Sequence, residues 1–206
     1  MKDIFDRQMQ LNIYTLRNIG LDFSTTVADP VQKTVWIENY RKAFSAELAE
    51  LAREVRERGV GTHNGRIEVV DLLHFLVSLS QIVGVTPSAA FSMMSDGNPG
   101  RAGLPGGNAE QAVMECVVET FLALDDLQGC MKWKWWAKGG GFKPDMAEKA
   151  VLDLWKRFGE ICALFDLDFE STRRIYTAKN EVNFRRQDRD YNEDTKDESD
   201  NLAIEA

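Results

Sequence analysis

Glu68-Val-Val-Asp71-Leu-Leu-His74-Phe-Leu-Val-Ser78-Leu-Ser-Gln81-Ile-Val, the centre of a run from Arg66 to Gly84, decides the fold of this chain. Its apolar residues, from Val69 and Val70 through Leu76 and Val77 to Ile82 and Val83, cover most of a helical circumference. Such a helix belongs inside a protein. Its polar residues Glu68, Asp71, His74, Ser78 and Gln81 recur at spacings of 3, 3, 4 and 3, so they form one stripe down one face. A buried acidic stripe needs a counter-charge. The preceding run supplies more acid instead, because Glu47 and Glu50 also lie three apart, among the apolar Phe44, Leu48, Leu51 and Val55.

Brought together across a turn at Gly59 to Gly65, the two acidic pairs repel strongly in a low-dielectric interior. A divalent cation resolves that repulsion. Four carboxylates from two antiparallel helices, with oxygen ligands only, suit Mg²⁺ or Mn²⁺ rather than zinc, and such ions usually act with a phosphate-bearing substrate. The competing reading is a solvated face, where ExxE and ExxD pairs are common. Glu47 and Glu50 alone fit that reading; Glu68 and Asp71, on a helix with little room for solvent, do not. His74 reads as a residue beside the ligands or a satisfied core histidine.

Outward from this hairpin, almost everything before the last twenty residues reads as helix. Apolar spacings of three and four run over residues 3–18, 32–58, 66–84, 109–130, 145–165 and 169–187, and strand-like alternation is scarce. Turns are signalled at Asp29-Pro30, Gly59 to Gly61, Gly84 to Pro87 and Gly139 to Gly141. The expected class is therefore all-α, a bundle of two antiparallel helix-hairpin halves. The glycine- and proline-rich stretch 95–108 divides residues 1–94, carrying the acidic hairpin, from a second helical half over 109–187, with a flexible connection expected between them. The halves are faintly alike, since Ala150-Val-Leu-Asp153-Leu-Trp echoes Glu68-Val-Val-Asp71-Leu-Leu. A duplicated hairpin and chance likeness between amphipathic helices explain this equally well.

Charge is unevenly spread over the 206 residues. The formal net charge is −8, and residues 188–206, with eight acids against two bases, carry −6 of it. That tail has little to bury and is expected to be flexible. The four carboxylates of the stripe and its partner helix account for a further −4, which leaves the rest of the body at +2. An acidic chain without a basic face excludes a nucleic-acid polymer as partner, whereas an acidic cation site still admits phosphates. No run is long and apolar enough for a membrane span or a signal peptide. Cys116, Cys130 and Cys162 are dispersed, giving neither a disulfide framework nor a zinc pattern, and a reduced, cytoplasmic protein is expected.

Three stretches together resemble the dimeric, all-α dUTPase family, within the MazG-type nucleoside triphosphate pyrophosphohydrolases. They are Tyr40 to Leu51 with its ExxE pair, Glu68 to Phe75 with its ExxD pair, and Ile175 to Tyr191 with the pattern Lys179-Asn-x-x-Asn183-x-x-Arg186-Gln-x-x-x-Tyr191. The resemblance implies that Glu47, Glu50, Glu68 and Asp71 hold two or three Mg²⁺ ions, and that Glu50 orients and deprotonates the attacking water. It implies that Lys179, Asn183 and Arg186 bind phosphate oxygens, that Gln8 and Asn12 read the pyrimidine edge, and that the chain works as a homodimer. The products implied are a nucleoside monophosphate and pyrophosphate, with dUTP the favoured substrate and dCTP next.

Two departures stand out. Many relatives carry a Trp-Lys-x-Trp-Lys segment after the ExxE helix, where this chain has Arg58 to Gly65; a comparable Trp133-Lys-Trp135-Trp136-Ala-Lys138 lies in the second half. Trp133 and Trp136 are candidates to stack on a base or close over it, as is Tyr191, although packing between the halves is the favoured reading of the tryptophans. The glycine-rich motif expected after Tyr191 is degenerate. The rivals to the favoured reading are a MazG-like activity on purine or modified deoxynucleotides and a non-catalytic helical module that binds a protein partner.

Overall fold

A computed structural model describes residues 1–98, 108–188 and 204–205. The described residues form eight helices and no strand: α1 (Lys2–Asn18), α2 (Phe23–Ala28), α3 (Pro30–Arg58), α4 (His63–Val83), α5 (Pro87–Gly97), α6 (Ala109–Gly129), α7 (Pro144–Leu164) and α8 (Phe169–Asp188). The all-α class and the two hairpins, α3 with α4 and α6 with α7, are as the periodicity predicts.

The helix starts follow from local chemistry. Asp29 accepts hydrogen bonds from the backbone of Val31 and Gln32 at 2.9 and 2.8 Å, and Pro30 fills the first helical position of α3, where no amide proton is needed. Thr62 caps α4 through Gly65 N–H at 2.9 Å, and Gly84 ends it in the left-handed conformation (φ 96°) that a side chain would disfavour. Two helices escape the periodic pattern. α2 has six residues, too few to show a period, and starts where Asp22 accepts from Thr25 N–H. α5 begins at Thr86-Pro87, which reads as a turn but is equally an N-cap followed by proline at the first helical position.

α3 presents Phe44, Leu48, Leu51 and Val55, all without solvent exposure, to α4, whose apolar side chains are buried nearly all round. Burying each such side chain stabilises the fold by roughly 2 kcal/mol. Trp155 of α7 crosses behind α4 and donates from Nε1 to Ser80 Oγ at 2.8 Å, which satisfies both polar atoms in the core. α5 lies on α7 at Gly97 and Gly159, where a Cβ on either glycine would run into a backbone carbonyl, that of Lys156 or of Met94. One cluster of buried residues draws on all the helices except α2's outer face and includes Ile37, Leu72, Val113, Trp155 and Ile175.

Of the glycine- and proline-rich stretch, Ser95 to Gly97 close α5, while residues 99–107 lie outside the described residues. The acidic tail lies outside them too, except Asp188, which accepts from the Tyr14 hydroxyl, and the pair Ile204 and Glu205. Ile204 is buried, and its carbonyl faces His63 Nε2 at 2.6 Å. Among the described residues, no helix is long and apolar enough to cross a membrane. The three cysteines are free and buried.

The tryptophan segment differs from expectation. Trp133, Trp135 and Trp136 do not pack between the halves: Trp135 is 84% exposed and Trp136 62%. They stand in the α6–α7 connection, edge-on to one another at ring separations of 5.4 and 5.7 Å, with Lys134 over the Trp133 ring. Composition alone cannot separate an aromatic run that fills a core from one presented at a hairpin tip.

Candidate active site

The polar stripe of α4 faces α1 and α8, and that is how a nearly all-round apolar helix carries it. A cleft of about 280 Å³ opens between these helices and α3. Glu47 and Glu50 of α3 and Glu68 and Asp71 of α4 form its acidic end. One carboxylate oxygen from each of Glu47, Glu50 and Glu68 lies within 4.8 Å of the other two. Asp71 stands beside this trio and pairs with Lys179 Nζ of α8 at 2.8 Å, both side chains being largely buried.

Glu68 is under electrostatic strain. Asn64 donates to its Oε1 at 3.1 Å, but Oε2 is buried without a hydrogen-bond partner. Burial first, then the neighbouring charges of Asp71 and Glu50, push its carboxyl up to about 7. A buried oxygen with no donor, in a site whose ligands are all oxygen, fits a hard divalent cation. The residues present therefore suit Mg²⁺ or Mn²⁺. Glu54, one turn beyond Glu50, is not part of this site: Arg58, Thr62 and Asn64 satisfy it at 2.9, 2.7 and 3.2 Å.

α8 forms the opposite wall with Lys179, Asn183, Arg186 and Gln187, at helical spacings that keep them on one side. Tyr191 lies outside the described residues. Beyond the acids, α1 contributes Gln8, Asn12 and Thr15. Gln8 and Asn12 are buried and joined to each other, Gln8 Nε2 donating to Asn12 Oδ1 at 2.9 Å. Asn12 Nδ2 donates to Ser78 Oγ and Gln81 Oε1, each at 3.0 Å, which uses both its protons. Gln8 Oε1 accepts from the Tyr176 hydroxyl at 2.8 Å and meets His74 Nδ1 at 2.9 Å.

That meeting fixes the imidazole. Gln8 Oε1 only accepts, so His74 carries its proton on Nδ1 and leaves Nε2 as a buried, unpartnered acceptor. The ring is stacked on Tyr176, 4.5 Å between centroids. Burial and the nearby Lys179 charge lower its pKa to about 3, so it is neutral at physiological pH.

Sequence reasoning missed the aromatic wall. Trp36, Tyr40 and Phe75 line the cleft, with ring separations of 5.7 Å between the first two and 6.4 Å between Tyr40 and Phe75. The signal was present: Trp36, Tyr40, Glu47 and Glu50 share one face of α3 by spacing, and Phe75 follows Asp71 by four. Trp133 and Trp136 are not among the residues that line the cleft.

Among the described residues, the second hairpin offers no comparable site. Asp153, the counterpart of Asp71, lies 3.7 Å from Arg157, which also pairs with Glu119 at 3.6 Å and Glu160 at 3.1 Å. A guanidinium occupies the centre of these acids.

A family model described as dUTPase matches residues 1–191. The chain belongs to the all-α dUTPase family. No curated protein and no solved structure matches it. As a member of the dUTPase family it is an enzyme of the dUTP diphosphatase type, acting on a nucleotide. Members of this family generally use a divalent metal, which agrees with the acidic trio in the cleft.

Proposed function

We propose that this dUTPase-family enzyme hydrolyses dUTP, and next to it dCTP, to the nucleoside monophosphate and pyrophosphate with Mg²⁺ as its cofactor. The observation that carries the reading is the buried, partnerless Glu68 Oε2 beside Glu47 and Glu50, opposite the basic face of α8. Glu47, Glu50, Glu68 and Asp71 would hold two or three ions, and Mn²⁺ is an acceptable substitute. Bound there, a divalent ion supplies the positive charge that lets a polyphosphate lie against four carboxylates.

The chain's own groups do the rest. Glu50 orients the attacking water and accepts its proton; the water oxygen bonds to phosphorus as a bridging P–O bond breaks, and that bond's electron pair leaves on the departing oxygen. Lys179 and Arg186 donate to phosphate oxygens, with the Asn183 amide beside them. The base belongs to the end of the cleft at Gln8 and Asn12, between the amides and the aromatic wall. Of the two, Gln8 keeps one Nε2 proton free, while both Asn12 amide protons are engaged. A free amide proton serves a uracil carbonyl and a cytosine ring nitrogen alike, which keeps dCTP as the second substrate. We place the enzyme in the cytoplasm, where buried free thiols stay reduced, and read it as a homodimer.

A non-catalytic interaction module is disfavoured by the same orphaned oxygen. An idle cluster of buried carboxylates destabilises its own fold.

The test is pyrophosphate release from dUTP, dCTP and the four common dNTPs with Mg²⁺, alongside Glu50→Gln. We expect turnover of dUTP first and a loss of about 10²-fold or more in the variant. No turnover on any nucleotide sinks the reading, and an unimpaired variant sinks the role of Glu50. Preference for a purine moves the enzyme to the MazG-like alternative and leaves the metal chemistry in place.

A further inference from the structure

The turn between α3 and α4, Arg58 to Gly65, has no part in the chemistry proposed above, yet it reaches the acidic end of the cleft through Asn64. The Asn64 amide stands between two buried carboxylates of different helices. Its Nδ2 donates to Glu54 Oε2 of α3 at 3.2 Å and to Glu68 Oε1 of α4 at 3.1 Å. A primary amide has two protons, and both are spent here. Turning the amide over would set its carbonyl oxygen against two carboxylates, so one orientation is fixed.

Glu54 is only 7% exposed and is itself held at both oxygens. Oε1 accepts from the Thr62 hydroxyl at 2.7 Å, and Oε2 accepts from Arg58 Nη1 at 2.9 Å as well as from Asn64. Thr62 in turn accepts from Gly65 N–H as the cap of α4. Gly65 has no room for a side chain, since a Cβ there would lie 2.9 Å from both Phe165 Cε1 and Thr62 Oγ1. The turn is pinned on both sides, which leaves Asn64 little freedom to follow Glu68 if that carboxylate rotates.

On the reading of Glu68 as a cation ligand above, we infer that Asn64, anchored by Glu54, is the positioning residue that sets which Glu68 oxygen meets the ion. The last torsion of a glutamate is soft, so burial alone does not decide how its carboxylate faces. A donor on Oε1 does decide it. Oε2, buried and without a hydrogen-bond partner, is then the oxygen left for the cation. The donor's neutrality matters as much as its place. An amide orients the carboxylate without neutralising it, whereas a lysine or arginine there would compete with the ion for its charge. Glu54 supplies the buried acceptor that Asn64 needs, outside the cation site.

Isothermal titration of Mn²⁺ alone into the full chain, with no nucleotide present, tests this, with helical circular dichroism and melting in EDTA as folding controls. Asn64→Ala removes the donor and should weaken Mn²⁺ binding by about 10–100-fold with little change in metal-free melting. Glu54→Leu should weaken binding too, whereas Glu54→Gln, which keeps an acceptor for Asn64, should stay close to the wild type. Adding Glu54→Leu to Asn64→Ala should cost no further affinity, because Glu54 acts only through Asn64; independent damage to the fold would add. Should Glu54→Leu fail to fold, Asn64→Ala decides alone. Wild-type affinity in Asn64→Ala, beside a loss in Glu68→Gln, overturns the positioning role and leaves the metal reading standing. Mn²⁺ binding that Glu68→Gln leaves unchanged, or no binding by the wild type, overturns both.

Discussion

Glu68 is the residue whose environment most clearly depends on what else is in the cleft. Its carboxyl sits at about 7 in the folded chain because burial and the charges of Asp71 and Glu50 oppose ionisation, against an ordinary value of 4.5. Between those two values the folded state binds a proton that the unfolded state has released. Folding stability of the metal-free protein is therefore fully present below pH 4.5 and declines as pH rises to about 7, by on the order of 3 kcal/mol from this group. Thermal unfolding in EDTA should show a melting temperature that falls between pH 5 and 7.5, and Glu68→Gln should flatten that fall. Mg²⁺ should recover most stability at the upper end, where Glu68 ionises most readily. A metal-free melting temperature that rises over this window in wild type and variant alike would refute the assignment. The carboxylates were legible because spacing alone gathers Glu68, Asp71, Glu47 and Glu50 on facing stripes. The Asp71–Lys179 pair was not, since nothing in local periodicity joins residues 108 apart in sequence. Nor was the hydrogen-bond network centred on Gln8, which joins Asn12, His74 and Tyr176 across three helices.

Among the elements, the long helices were legible from period and caps, and the two short ones were not. α5 shows why. Pro87 and its preceding threonine mark a turn or a helix start equally, and Ala89, Ala90 and Gly97 supply little apolar contrast. What fixes α5 is its close approach to α7, where Gly97 and Gly159 let the two backbones meet. That contact has a measurable consequence. Gly159→Ala places a Cβ against the Met94 carbonyl, backbone rather than a side chain that could rotate away. The helices must separate, and the loss should be at least about 1–3 kcal/mol despite alanine's better helix propensity. Gly129→Ala is the internal comparison, because nothing lies within 4 Å of its Cβ position. If both variants melt together with the wild type in chemical denaturation, the tight crossing is not what holds α5. The same scale explains the tryptophans. A hydrophobic run at the end of α6 has no periodic partner to declare its burial, and its lysines are what distinguish a presented surface from a core.

At the scale of the whole molecule, the cleft joins what the sequence separates. Its walls come from α1, α3 and α4 before the glycine-rich stretch and from α8 after it, and the buried cluster crosses between the two halves. On this architecture we propose that the division at 95–108 marks a connection in sequence and not a boundary of independent unfolding. Cys162 provides the probe. It lies in α7 with no solvent exposure, away from the cleft, and burial pushes its thiol up to about 12, so in the native state it is neither accessible nor ionised. Alkylation must wait for opening. If opening is global, any ligand that binds only the folded cleft slows it by the factor 1 + [L]/Kd, about a hundredfold at a hundred times Kd. Mg²⁺ with a non-hydrolysable dUTP analogue should therefore protect Cys162 from iodoacetamide, read site by site by mass spectrometry, to the same degree that it stabilises the protein in denaturant. If the second hairpin opens by itself, the Cys162 rate will not respond to a ligand held by α1, α3, α4 and α8. Equal alkylation with and without ligand, at a ligand concentration that raises the melting temperature, would mean that the two halves unfold separately.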